Sequence, residues 1–343
     1  MTKKKKTSHG MWLKAGIIIL VVGASAVWYI FFTGMSAHGG EEYVTIDTDD
    51  NADSVMTKVS RVATAPSMMA FKLMSSVTGY DKKIHTGRYL IGSKGALMTF
   101  RNFAGGHQAP LMLTIPTVRT KERLAEELSK RMMVSKQELL TALNDSVTCK
   151  AYGYRPETIL CMFIPNTYDM YWDCHLEDLL KRMEKECKRF WTPMRREKAK
   201  AAGLTEEEVV TLASIVDEET ANNSEKPMIA GMYINRLREG MLLQADPTVK
   251  FALGKFELRR IYHNMLNTDS PYNTYRYKGL PPGPIRIPTI SAIDAVLDYT
   301  HHDYLFMCAK EDLSGTHNFA KTYEEHQQNA NKYVKALNER GIK

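Results

Sequence analysis

The first strong pattern along the chain is a continuous apolar run over residues 15–32, interrupted only by Ser25. About 18 residues suffice to cross the hydrocarbon core of a bilayer, at a rise of ~1.5 Å per residue. Lysines at positions 3–6 and at Lys14 precede the run. Because basic flanks stay in the cytoplasm, the pattern predicts a cytoplasmic tail over 1–14, a transmembrane helix over 15–33 and export of the rest.

A cleaved signal peptide is the alternative for this segment. The run is longer than a usual signal-peptide core, and Trp28, Tyr29, Phe31 and Phe32 at its outer end are typical of an aromatic interface belt. Residues 34–37 offer only a weak cleavage site. We therefore predict an uncleaved anchor, followed by a short polar linker over 34–42.

The first part of the exported chain has the pattern of a small β-α-α-β unit. Strands are predicted over 43–46 and 87–91, and helices over 52–62 and 67–76. LysM modules, which bind glycans, have this order of elements, and so do many other small domains. We expect a LysM-like domain over 43–110.

The remaining residues, 111–343, predict a mixed α/β domain, so that the fold class of the whole chain is α+β. A strand is expected over 111–115, and helices over 120–133, 136–143 and 178–196. Thr205 and Glu208 form a capping-box pattern at the start of a further helix. A short helix is predicted from Asp246, and a C-terminal helix from near Thr322.

The helix that starts at Thr205 carries three consecutive acidic residues. Its apolar positions recur at helical spacing, at Val209, Leu212, Ala213 and Val216. Glu219 falls on this apolar stripe, Asp217 lies at its margin, and Glu218 projects to the opposite, solvent side. A desolvated carboxyl group favours its protonated form, which is what a general acid requires. An ordinary surface helix, with Glu219 as a cap or an ion-pair partner, is the competing interpretation.

A proline- and glycine-rich loop over 269–288 could contact a ligand. Prolines and glycines make it stiff, Tyr272 and Tyr275 offer ring faces, and Asn273 and Thr274 offer hydrogen bonds. Sugars suit this combination because a pyranose has apolar faces and a polar rim. The same tyrosines could equally fill a protein core.

Composition and motifs exclude several classes. The net charge of +7 comes partly from the first lysines, and no basic stripe with interleaved aromatic residues indicates nucleic acid binding. Five cysteines without a C-x-x-C pair are expected to be mainly buried thiols, and no metal-ligand spacing occurs. No nucleotide-binding or zinc-hydrolase motif is present, so we expect neither a metal nor a cofactor.

Several blocks together resemble the endolytic murein transglycosylases (MltG, YceG-like family). The strongest matches are ASIVDEET (213–220), INRL (234–237), GMLLQADPTV (240–249), SPYNTY (270–275) and GLPPG (279–283). Upstream, FIPNTY (163–168) is similar to a family segment in which an acidic residue stands at the place of Asn166, and GRY (87–89) is similar to the family's strand after the LysM-like unit.

The resemblance implies that Glu219, the second Glu of the family's E-x-E-T block, is the catalytic acid. It implies non-hydrolytic cleavage of the β-1,4 bond between N-acetylmuramic acid and N-acetylglucosamine in nascent glycan strands, which leaves 1,6-anhydro ends and limits strand elongation. Candidate sugar contacts are Asn235, Gln244, Asp246, Tyr272, Asn273 and Tyr275. The implied partners are peptidoglycan strands, inner-membrane lipid and peptidoglycan synthases, with the catalytic domain outside the cytoplasmic membrane.

Two other functional classes remain open at this point. A peptidoglycan hydrolase would need a second carboxylate, for which Asp217 and Asp246 are candidates. A non-catalytic wall-binding scaffold would need no desolvated carboxyl group at Glu219.

Overall fold

The computed structural model describes residues 8–258 and 260–341, so that the predicted lysine cluster at 3–6 lies outside the described residues. The α-helices are α1 (Ser8–Phe32), α2 (Ala52–Ser60), α3 (Ala65–Thr78), α4 (Ala96–Gly105), α5 (Lys121–Ser129), α6 (Lys136–Asn144), α7 (Ser146–Ala151), α8 (Leu176–Phe190), α9 (Pro193–Ala202), α10 (Glu206–Glu219), α11 (Lys226–Arg238), α12 (Asp246–Leu253), α13 (Ile290–Leu297) and α14 (Tyr323–Glu339). The strands are β1 (Glu42–Ile46), β2 (Gly87–Ile91), β3 (Leu111–Thr114), β4 (Thr167–Met170), β5 (Phe306–Ala309) and β6 (His317–Ala320), which pair as β1–β2, β3–β4 and β5–β6. The fold is therefore mixed α+β with an apolar N-terminal helix.

The described chain divides into two compact units. The first comprises the chain up to Leu113 together with Arg131–Met133 and Asp169–Cys174. The second comprises Thr114–Lys130, Val134–Tyr168 and the chain from His175 onward.

In the first unit, α1 is long and apolar enough to cross a membrane. The apolar stretch Met11–Phe32 is about 33 Å long at the rise of an α-helix. None of its most apolar stretch is buried against protein. By length and composition it fits a single-pass membrane anchor.

The rest of the first unit has the order β1-α2-α3-β2-α4. Strands β1 and β2 are antiparallel, with Val44 opposite Tyr89. The ring of Phe103 stacks on Tyr89 at 4.3 Å between centroids and meets Phe71 edge-on at 5.3 Å. Sequence analysis did not predict α4, which contributes Phe103 to this core.

The segment predicted as a linker over 34–42 is partly packed into the first unit. Met35 is fully buried, and its N–H lies 3.0 Å from the carbonyl oxygen of Gly92. The N–H of Thr64 donates to the carbonyl oxygen of Met35 at 2.9 Å. The N–H of Ala37 donates to the carbonyl oxygen of Val62 at 2.8 Å. The freely extended part after the anchor is therefore shorter than nine residues.

The second unit is built around α10, which packs against α9, α11, α12 and α13. The prediction of one apolar stripe with a solvent-facing opposite side is wrong, because every residue from Val209 to Val216 is buried. Ser214, on the side expected to face solvent, is completely buried; its hydroxyl donates to the carbonyl oxygen of Thr211 at 2.7 Å and accepts from the N–H of Ile285 at 3.0 Å. Tertiary packing thus covers the polar side of the helix.

Other predicted elements of the second unit differ at their ends. The helix predicted over 178–196 is two helices, since α8 ends at Phe190 and Thr192 caps α9 with Pro193 in the first turn. Proline is accepted in a first turn but interrupts a helix interior. Helix α5 ends at Ser129 rather than at residue 133. The capping box of Thr205 and Glu208 is present as predicted.

Candidate active site

Glu219 is the last residue of α10; the residue as a whole is half-buried, and its carboxyl group is buried. The hydroxyl of Tyr233, on α11, donates a hydrogen bond to its Oε1 at 2.6 Å. Burial raises the pKa of Glu219 from its ordinary 4.5 to about 7, against the lowering effect of the Tyr233 hydrogen bond and with a further rise from the charge of Asp246. The group can therefore be either protonated or ionised near neutral pH.

The neighbouring carboxylate, Glu218, is paired with two arginines. Its two oxygens accept from Nε and Nη2 of Arg119 at 2.8 and 2.9 Å, and Nη1 of Arg286 donates at 3.0 Å. The side chain is only 13% exposed. The prediction that Glu218 points to solvent is wrong, because both arginines come from segments distant in sequence that cover this side of α10.

Asp217 has partners of its own and also shares Arg286 with Glu218, since Nε of Arg286 lies 3.5 Å from its Oδ2. It pairs with Lys226 at 2.6 Å, and both side chains are 4% exposed. The N–H and the hydroxyl of Thr289 also donate to it, at 3.0 and 2.9 Å. Burial alone would raise the pKa of Asp217, but the hydrogen bonds from Lys226 and Thr289 outweigh it and hold the pKa below its usual range. Asp217 is thus a charged structural group.

Glu219 lies in a cavity of about 230 Å³ within the second unit. The cavity is lined by Glu219, Met232, Tyr233, Arg236, Leu243, Gln244, Asp246, Tyr275, Met307, Cys308, Ala309 and His317. Three of the six predicted sugar contacts are among them, namely Gln244, Asp246 and Tyr275.

The segment before α12 positions two of these residues. Gln244 has a φ of 50°, an unusual left-handed conformation for a residue other than glycine, and its N–H donates to the carbonyl oxygen of Thr274 at 3.1 Å. Asp246 is the first residue of α12, and its Oδ1 accepts from the hydroxyl of Tyr275 at 2.6 Å. Burial and this hydrogen bond raise the pKa of Tyr275, so the hydroxyl stays protonated.

The other three predicted sugar contacts do not line this cavity; two of them bind protein backbone through their amides, and the third packs its ring on a neighbouring ring. The amide of Asn235 donates to the carbonyl oxygens of His302 and Tyr304 at 2.6 and 3.1 Å. Asn273 is fully buried and donates to two carbonyl oxygens of the preceding loop at 2.9 and 2.8 Å. The ring of Tyr272 packs on Phe251 at 4.7 Å.

Sequence reasoning missed Tyr233, Arg236 and His317 as cavity residues. Arg236 is 7% exposed and donates from Nε to the carbonyl oxygen of Leu305 at 2.5 Å and from Nη1 to that of Leu243 at 2.7 Å. The block INRL had marked the neighbourhood of Arg236 and Tyr233, but nothing local showed which side chain reaches the cavity. His317 comes from the unpredicted β5–β6 hairpin.

Within the described residues, no group of three or more His, Cys, Asp or Glu side chains could hold a metal ion. Cys149, Cys161 and Cys187 are buried thiols, as expected, and burial raises the pKa of each. Cys308 lines the cavity and is half-buried.

Comparison with known proteins defines the class. The sequence model of the YceG-like family matches residues 44–332, and the chain belongs to this family. The endolytic murein transglycosylase of Bacillus subtilis (strain 168) is 32% identical over 271 residues, which cover 78% of this chain and 70% of that protein.

Two further comparisons agree with this assignment. The endolytic murein transglycosylase of Streptococcus pneumoniae (strain D39) is 31% identical over 163 residues, or 46% of this chain, and this match covers only 28% of that relative's length. The crystal structure of a yceG-like protein from Listeria monocytogenes aligns with a TM-score of 0.56 at 26% identity, over 84% of this chain and 98% of that one. The resemblance found in the sequence motifs is thereby confirmed.

Proposed function

We propose that the chain is an endolytic murein transglycosylase, which cleaves the β-1,4 bond between N-acetylmuramic acid and N-acetylglucosamine and leaves 1,6-anhydro ends. The observation that carries the chemistry is Glu219: a buried carboxyl group with a pKa raised to about 7, on the wall of a polar cavity. The family relatives named for this activity support the substrate class.

Glu219 performs both proton transfers in this proposal. Protonated Glu219 donates its proton to the glycosidic oxygen as the bond to the muramoyl C1 breaks. The resulting carboxylate then accepts the proton of the muramoyl 6-hydroxyl, whose oxygen bonds to C1 and closes the anhydro ring. No water is consumed, and Glu219 ends protonated as it began. One carboxyl group suffices because the attacking hydroxyl belongs to the same sugar and has a high effective molarity.

The hydroxyl of Tyr233 stabilises the intermediate carboxylate. It lies 2.6 Å from Oε1 of Glu219 and is itself fully buried. A short hydrogen bond to a charged oxygen strengthens as the charge develops. Tyr233 thus keeps Glu219 acidic enough to release its proton despite burial.

The six residues predicted to contact sugar have two different roles in this proposal. Gln244, Asp246 and Tyr275 line it and are the proposed direct contacts. Asn235, Tyr272 and Asn273 were predicted as contacts too; in this proposal they support the loops around the cavity through their backbone hydrogen bonds and ring packing.

A hydrolase is the second candidate, because Asp246 lines the same cavity as Glu219 and could activate a water molecule. Asp217 is a poor partner for this role, since Lys226 and Thr289 occupy its carboxylate. A purely binding role gives no reason to place a buried carboxyl group beside Tyr233.

The first unit would place the enzyme at the membrane. We assign α1 as an uncleaved anchor in the cytoplasmic membrane, with the lysine-rich end inside and the chain after α1 outside, because basic flanks remain in the cytoplasm. The β1-α2-α3-β2 order supports a LysM-like role in holding a glycan strand. Peptidoglycan synthases are the proposed neighbours at sites of strand synthesis.

The chemistry of the new chain ends tests this function. Purified sacculi are digested with the full chain in detergent, and the soluble fragments are analysed by mass spectrometry before and after borohydride reduction. Anhydro ends, lighter by one water and inert to borohydride, are expected. Fragments that all carry reducible muramic acid ends would establish the hydrolase instead.

A further inference from the structure

The β5–β6 hairpin brings a second acid–base group to the cavity wall, His317. Its backbone N–H donates to Oε1 of Glu225 at 2.6 Å, and its Nδ1 lies 3.0 Å from Oε2. Glu225 precedes α11 and is only 8% exposed. One buried carboxylate therefore holds both the backbone and the ring of His317.

This arrangement determines what His317 presents to the cavity. The carboxylate of Glu225 occupies Nδ1, which leaves Nε2 as the ring nitrogen that can form a hydrogen bond with a ligand. In the parts of the chain that the structure describes, no group is hydrogen-bonded to Nε2, and the side chain is 17% exposed. Glu225 therefore holds the ring of His317 in one orientation, and His317 lines the same cavity as Glu219.

We propose that His317 is a further substrate-contacting residue: its Nε2 forms a hydrogen bond with a hydroxyl group of the muramoyl sugar held against Glu219. Glu225 is the positioning residue that fixes the ring. The proposal rests on the proposed function for the identity of the sugar. Its geometric basis is the shared cavity and the two hydrogen bonds to Glu225.

Two matched substitutions at His317 distinguish a contact between Nε2 and the sugar from the contact between Nδ1 and Glu225. In His317→Asn, the shorter amide can keep a donor toward Glu225 but places nothing at the position of Nε2. In His317→Gln, the amide reaches the position of Nε2 and can offer its oxygen there. His301→Asn, at an exposed histidine outside the cavity, is the control.

We expect His317→Asn to lower the initial rate on soluble glycan strands by about 10- to 100-fold at sub-saturating strand concentration, the loss of one good hydrogen bond. The melting temperature should stay within a few degrees of the unmodified chain, and His317→Gln should recover part of the rate. Full activity of a folded His317→Asn chain would overturn the proposal, because only the contact with Glu225 would then matter.

A binding measurement decides the question if the Asn variant does not fold. The Glu219→Gln full chain in detergent, labelled with ¹⁵N-histidine, is titrated with purified glycan strands. The Nε2 resonance of His317, assigned with the Gln variant, should shift on strand binding, whereas that of His301 should not. Saturable strand binding with an unmoved His317 resonance would refute the contact. A shifted resonance together with reducible, non-anhydro products from the unmodified chain would instead refute the proposed chemistry and leave the contact standing.

Discussion

At the scale of single residues, the environment of Glu219 sets its proton affinity. Burial removes the water that would stabilise the carboxylate, and the hydroxyl of Tyr233 replaces part of that stabilisation. The position of Glu219 on α10 and the E-x-E-T match led to its prediction as the catalytic acid, and that role stays a prediction. The sequence alone could not predict Tyr233, because a contact between two helices depends on how they pack.

Replacing Tyr233 by Phe should move the pH dependence of cleavage. In the proposed mechanism Glu219 must be protonated to donate, so we expect activity below a pH of about 7 and its loss as the pH rises through that value. Removing the Tyr233 hydrogen bond destabilises the carboxylate, which raises the pKa of Glu219 further. The alkaline limb of the pH–rate profile should therefore shift upward by about one pH unit, since hydrogen bonds to charged groups are worth ~1.5–3 kcal/mol.

The control for that shift is Tyr277→Phe, at an exposed tyrosine whose hydroxyl donates to Asp269 outside the cavity. Its profile should coincide with that of the unmodified chain. A Tyr233→Phe limb that is unmoved, or that moves to lower pH, would mean that Tyr233 does not stabilise the carboxylate.

At the scale of elements, the C-terminal end of α10 is fixed by an ionic network in which Arg286 connects Glu218 with Asp217. Glu218 joins Arg119 and Arg286, and Asp217 joins Lys226 and the cap residue Thr289 of α13. These contacts leave Glu219 as the one carboxyl group of the three that faces the cavity. The divergence of three successive side chains follows from helix geometry, but their partners do not.

We expect Glu218→Gln to destabilise the fold by about 1–3 kcal/mol, because the amide leaves Arg119 without a carboxylate and leaves Arg286 with only its 3.5 Å contact to Asp217. Urea unfolding monitored by circular dichroism measures this loss. The matched control is Glu206→Gln, whose partner Arg196 is 47% exposed, and which should cost less than ~1 kcal/mol. Equal, negligible losses for both variants would show that the arginine cluster contributes nothing to stability.

Local signals predicted some elements well and failed for others for identifiable reasons. The helices α2 and α6, the strand β2 and the capping box of α10 lie within two residues of their predicted positions, because caps and periodicity are local. The break between α8 and α9 was missed although Pro193 marks it. The β5–β6 hairpin was missed because four-residue strands carry almost no periodic signal.

At the scale of the whole molecule, the apolar helix α1 continues into the first unit without a free spacer. Ile30 and Phe31 pack against the core of that unit, and Met35 is buried within it. A tether built in this way would keep the enzyme at the bilayer surface, where it can reach nascent strands without meeting a free strand end.

Replacing residues 11–29 with a cleavable export signal, while keeping Ile30 onward, should therefore separate two properties. Activity on isolated sacculi should remain, since the candidate active site lies in the second unit. Complementation of a strain lacking the enzyme should fall, and an unrelated transmembrane segment of the same length should restore it. An untethered chain that complements fully would show that the membrane anchor is dispensable for function.

The proposed role of Glu219 as the proton donor is tested most directly by the rate at which anhydro ends form. The Glu219→Gln chain and the unmodified chain are compared on the same sacculi. An amide cannot donate the required proton, so the rate should fall by at least about 10²-fold. At pH 8 the variant should be as stable as the unmodified chain or more so, because the raised pKa of Glu219 makes its carboxylate unfavourable in the folded state above pH 7. Release of anhydro ends by a folded Glu219→Gln chain at the unmodified rate would contradict the account.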